Sequence, residues 1–137
     1  MDRSPDEAEA LAASLVQIRD AHDIAGLRTD VDGVLIVGLS DGLIRTLAEH
    51  CPGIRHIFGD GNSHALTDRG LASLARFTAL ESLDLEYSAI TDAGLDHIAA
   101  VETLRWVDLG GCDGITKSGL ATLRSRRLDL EIEPNAA

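Results

Sequence analysis

Apolar positions along the chain follow two alternating rhythms. In Leu80-x-x-Leu83-x-Leu85 and Leu104-x-x-Val107-x-Leu109, apolar and polar residues alternate. A period of two predicts strands buried on one face. A different pattern comes next: Leu66-Thr67-Asp68-x-Gly70-Leu71, Ile90-Thr91-Asp92-x-Gly94-Leu95 and Ile115-Thr116-Lys117-x-Gly119-Leu120. Threonine is a good helix N-cap, and the apolar pairs Leu71/Leu74, Leu95/Ile98 and Leu120/Leu123 each share one helix face. Asp68 and Asp92 fall in the first turn, where negative charge suits the helix dipole. The three threonines are spaced by 24 and 25 residues, so the chain repeats a strand–loop–helix unit.

Two further units are degenerate. Ile54-x-x-Ile57 precedes Gly59 where a leucine is expected, and Val31-x-x-Val34-x-Ile36 precedes a short loop. Leu128-x-Leu130 opens a last unit ending at Pro134. About five strands are therefore expected over residues 31–133, followed by a disordered tail over 134–137. Ahead of them, Ser4-Pro5-Asp6-Glu7 reads as a capping box with proline at the first helical position. Ala8, Leu11, Leu15 and Ile18 mark one apolar face. A helix over 5–21, within a capping segment over 1–30, would cover the open end of the stack. The rival role for this helix is docking into a partner.

The repeat length and the L-x-x-L-x-L segments carry a leucine-rich-repeat signature. Cys51-Pro52-x-Ile54-x-x-Ile57 and Leu104-x-x-Val107-x-Leu109-x-x-Cys112-x-x-Ile115-Thr116 resemble the cysteine-containing repeats of F-box adaptor proteins and related solenoids. The resemblance spans roughly residues 31–132. It implies an α/β solenoid with a parallel sheet on its concave side, where proteins bind. It also implies that Cys51 and Cys112 are buried packing residues. With about thirty residues ahead of the first expected strand, no F-box is expected.

Composition narrows the picture further. Aromatic residues are only 3% while hydrophobic residues reach 45%, so the core must be aliphatic. Acidic residues outnumber basic ones 23 to 12, for a formal charge of −11. That balance argues against nucleic acid or an anionic membrane and favours solubility or a basic protein partner. Two distant cysteines make no disulfide framework, and the acidic beginning of the chain lacks a signal-peptide pattern. A cytoplasmic protein is expected.

Stacking the units in register sets three columns of side chains on the concave face. They are His56, Ser82, Trp106 and Arg127; Phe58, Asp84, Asp108 and Asp129; and Asp60, Glu86, Gly110 and Glu131. The candidate contact residues are Trp106, Phe58, His56, Asp84, Glu86, Asp108, Asp129 and Glu131. Trp106 is the anchor and the acids set the charge preference. Adjacent aspartates on strands about 4.8 Å apart oppose folding, so a face that keeps them suits a cationic partner. No calcium-loop pattern, zinc-protease or nucleophile motif, or P-loop is present, so no metal, cofactor or active site is expected. The expected function is non-enzymatic protein binding. The alternatives are an immunity or inhibitor protein that neutralises a basic enzyme or toxin, and a structural subunit of a larger complex.

Overall fold

The computed structural model describes residues 15–134. Six strands form one parallel sheet in chain order: β1 (Val16–Ile18), β2 (Gly33–Ile36), β3 (His56–Gly59), β4 (Ser82–Asp84), β5 (Trp106–Asp108) and β6 (Glu131–Glu133). Helices α1 (Ala21–Ala25), α2 (Asp41–His50), α3 (Asp68–Leu71), α4 (Leu95–Ala99) and α5 (Lys117–Arg126) occupy the crossovers. A 3-10 turn, Ala72–Arg76, extends α3, and another, Asp92–Gly94, leads into α4. This is the α/β, strand-beside-strand order of a solenoid.

The core lies between sheet and helices. Val34, Ile57, Leu83, Val107 and Ile132 occupy equivalent strand positions and are all buried. Ile44, Leu47, Leu71, Leu74, Ile98 and Leu123 meet them from the helices. Phe77 is the one phenyl ring in this core, so the aliphatic expectation holds among the described residues. Both cysteines are free and buried. Cys51 Sγ lies 3.6 Å from the Arg28 carbonyl and Cys112 Sγ 3.1 Å from that of Leu85. Burial pushes both thiols above their ordinary pKa.

A carboxylate clamp joins successive units. Ser40, Thr67, Thr91 and Thr116 are all N-caps whose side chains accept backbone N–H groups of the first turn. The aspartate after each of the first three caps reaches forward one unit and accepts two bonds from the next threonine. Asp41 takes the Thr67 N–H at 2.7 Å and its hydroxyl at 2.6 Å. Asp68 does the same to Thr91 at 2.8 and 2.5 Å, and Asp92 to Thr116 at 2.8 and 2.6 Å. These bonds pull Asp92 below the ordinary carboxylate range. The motif glycines make the approach geometrically feasible: a Cβ on Gly70, Gly94 or Gly119 would overlap the carboxylate of Asp41, Asp68 or Asp92 respectively.

Both ends of the chain differ from expectation. A helix was expected over 5–21, of which 5–14 lies outside the described residues. Within the rest, Val16–Ile18 is a strand, in parallel register with Val34–Ile36. The reason is the sheet edge. β2 has unsatisfied backbone groups on its outer side, and β1 pairs with them; Ile18 O accepts the Val37 N–H at 2.8 Å. Helix α1 starts later, capped by Asp20.

At the other end, the expected Leu128-x-Leu130 strand lies further along, at Glu131–Glu133. Helix α5 runs to Arg126, and Arg127 caps it. The Arg127 guanidinium then donates to the carbonyls of Val101 and Leu104 at 2.7 and 2.8 Å, which ties that residue beneath the preceding unit. The chain must turn before pairing, and Leu128 is left 90% exposed.

The clamp predicts opposite signs for two glycine-to-alanine changes. Gly42 in α2 has open space around its missing Cβ. Gly42→Ala should stabilise by about 0.5–1 kcal/mol through helix propensity and unfolded-state entropy. Gly94→Ala gains the same propensity but drives a methyl into the Asp68 carboxylate. It should destabilise by about 2 kcal/mol. Urea denaturation of both variants against the wild type measures the contrast.

Candidate functional site

The register places one row of side chains across the sheet as Gly33, His56, Ser82, Trp106 and Glu131. The next row pairs Leu35 with Phe58 and runs through Asp84, Asp108 and Glu133. Strand β4 carries only the small Ser82 between β3 and β5. Phe58 and Trp106 lean across it until their ring centroids are 5.8 Å apart, tilted by 40°. Ser82 is buried as a result. His56 is also buried, at 4% exposure, with Nδ1 2.9 Å from Ser82 Oγ. Its ring stacks against Phe58 at 6.5 Å. His56 thus packs beside Phe58 on the same face and is the least exposed of the expected contact residues.

The shift of β6 moves two more expected residues. Asp129 is not in the aspartate column; Glu133 takes that place. Asp129 lies at the start of the unit, bonded to Arg105 at 2.8 Å and Arg127 at 3.1 Å. These guanidiniums, Arg127 foremost, hold its carboxyl below the ordinary range. Arg127 leaves the face with it, bound to the carbonyls named above. Glu131 moves from the third column to the first, opposite Trp106.

Beside the rings, Asp84, Glu86 and Asp108 each bring a carboxylate oxygen within 4.8 Å of the others. Backbone N–H groups orient two of them. Asp84 accepts from Glu86 at 3.1 Å and from Gly59 at 3.3 Å, and Asp108 accepts from Gly110 at 2.9 Å. Asp84 is only 7% exposed. Its burial outweighs those bonds, and the nearby Asp108 adds repulsion, so its pKa rises from 3.8 to about 6. Burial, with Asp84 and Asp108 as like charges, raises Glu86 to about 7. Such a group can hold a hard cation or a partner's cationic side chain, and these three are the residues that would do so.

The strand starts form a contrasting edge. There Arg55 bridges Asp32 at 3.4 Å and Glu81 at 2.7 Å, and Arg105 pairs with Asp129. Acid and base are matched along that side.

Sequence reasoning passed over Tyr87. The turns after β2, β3, β4 and β5 each hold a residue with positive φ at one equivalent position. Gly38, Gly61 and Gly111 supply it at 72°, 84° and 71°, and Tyr87 supplies it at 60°. A tyrosine aligned with three glycines was the available signal. The chain's single tyrosine is 50% exposed. Its ring lies over Gly111, whose missing side chain leaves the space.

A leucine-rich repeat family model matches residues 78–99, the stretch holding β4 and α4. Curated proteins contain no match to the chain. The family match, together with the six-stranded parallel sheet, supports a leucine-rich repeat protein. Among the described residues no helix is long and apolar enough to cross a membrane.

The carboxyl group makes stability depend on pH with a definite sign. Raised folded-state pKa values mean that the native state holds more protons than the unfolded one between about pH 4 and 7. Stability should therefore fall as pH rises through this window. The buried Asp84 alone should account for about 2 kcal/mol of the fall. Asp84→Asn should be more stable than the wild type by about 1–2 kcal/mol at pH 8. That advantage should shrink as pH falls through this window and vanish below about pH 4, where the carboxyl is protonated in the unfolded chain too. Denaturant melts at the two pH values give both numbers.

Proposed function

We propose that this chain is a non-enzymatic protein-interaction module whose partner docks on the open sheet face around Trp106. Leucine-rich repeat domains generally mediate protein–protein interaction. The observation that carries the reading here is the Phe58–Trp106 ring pair set beside the Asp84, Glu86 and Asp108 carboxylates. An aromatic anchor edged by carboxylates is a composition that protein hot spots use. The carboxylates would exclude acidic partners and speed the approach of basic ones. Glu131 and Glu133 extend the charge beyond Trp106 and Asp108. Keeping Asp84 and Asp108 side by side opposes folding, and a cationic partner would relieve that opposition.

The same charge favours one narrower role, an inhibitor or immunity protein covering a basic enzyme. That role calls for tight association that weakens steeply with salt.

The test is capture from a lysate of the source cell on immobilised wild type and on a Trp106→Ala/Asp108→Lys double variant, after matching their melting temperatures. The wild type should retain a partner, release it as salt is raised, and the double variant should lose it. A partner kept equally by both would rule out the face around Trp106.

A further inference from the structure

The loops that follow the strands form a rim with its own chemistry. Residues 60–66, 86–90 and 110–115 contain Asp60, Glu86, Asp113 and His64, and no lysine or arginine. This contrasts with the opposite edge, where Arg55 and Arg105 are matched to acids. A cavity of about 410 Å³ opens on the rim, lined by His64, Tyr87, Asp113 and the backbone around Gly111 and Gly114.

Tyr87 occupies the centre of this rim in a conformation that its neighbours adopt with glycine. A bulky residue in the left-handed region is unfavourable, and glycine at the same turn position is present three times over. Folding alone gives no reason for tyrosine here. Its ring is half exposed, so it adds little to the core. Its seat on Gly111 fixes the ring direction, which lowers the entropy lost on contact. A fixed, exposed aromatic ring sharing a cavity with the Asp113 carboxylate, on a rim without lysine or arginine in these loops, suits a guanidinium or ammonium group, which stacks on the ring while the acid balances its charge.

We infer that this rim is a second contact site, built to take an arginine- or lysine-bearing segment of a protein partner with Tyr87 as its fixed anchor. The inference deepens the binding reading above, and the two fail separately. The probe is a short peptide, acetyl-Arg-Gly-Arg-Gly-Arg-amide, titrated into the 137-residue chain and followed by amide NMR shifts, with the glutamate counterpart as charge control. Wild type, Tyr87→Asn and Trp106→Ala are compared. Asparagine tolerates the left-handed turn, so Tyr87→Asn should melt within a few degrees of the wild type. It should bind the peptide about tenfold more weakly. Shifts at Gly61, His64, Tyr87, Gly111 and Asp113 that persist in Trp106→Ala would establish the rim independently of the open face. Shifts confined to β4 and β5 and lost in Trp106→Ala would leave the face standing and overturn the rim. Equal binding by Tyr87→Asn, equal response to the glutamate peptide, or collapse of the Tyr87→Asn fold would each overturn it as well. The last would make Tyr87 a structural residue.

Discussion

The clamp between an aspartate on one unit and the capping threonine of the next is the interaction on which the stack depends. Strand pairing joins the units along one side only, and apolar burial is indifferent to small slides. The clamp acts on the other side of the core and has direction. One carboxylate meets a backbone N–H and a hydroxyl together, so only one relative placement of two helices satisfies both. It also explains why Thr-Asp-x-Gly recurs as a unit. The threonine caps its own helix, the aspartate reaches forward, and the glycine admits the carboxylate arriving from behind. In the final copy Lys117 replaces the aspartate, and no following helix is present among the described residues for it to hold.

With the units held in register, charge is sorted across the sheet. At the strand starts, acids and arginines from neighbouring units neutralise one another. On the open face and at the strand ends, acids predominate, and β4 and β5 set them side by side. Among the described residues, Asp84, Glu86 and Asp108 thus gather at the strand ends next to the aromatic pair.

The aromatic cluster rests on a size difference between neighbouring strands. Ser82 is small, so Phe58 and Trp106 close over β4, with His56 packed beside Phe58. Their closure, with the surrounding chain, takes Ser82 and Asp84 out of water. That burial raises the Asp84 carboxyl, and the shared space raises Glu86. The electrostatic character of the face therefore follows from packing as much as from the number of acids.

What the sequence by itself determined was everything repeated at short range. Alternating Leu83-x-Leu85 and Val107-x-Leu109 marked strands, and Thr67, Thr91 and Thr116 marked helix starts, because propensity, capping and one-sided burial act within a few residues. The pairing of Asp84 with Asp108 and the exposure of Trp106 to the open face followed from the repeat length. Tertiary structure decided the rest. Only the loose outer edge of β2 turned Val16–Ile18 into a strand. Only the bonds from Arg127 to two distant carbonyls delayed β6, moved Asp129 off the face and shifted Glu131 from its third column to its first. The burial of His56 depended on Ser82 and Phe58 beside it, and the meaning of the motif glycines depended on a carboxylate from the preceding unit. Each of these rests on contacts between residues some twenty positions apart, which local pattern does not encode.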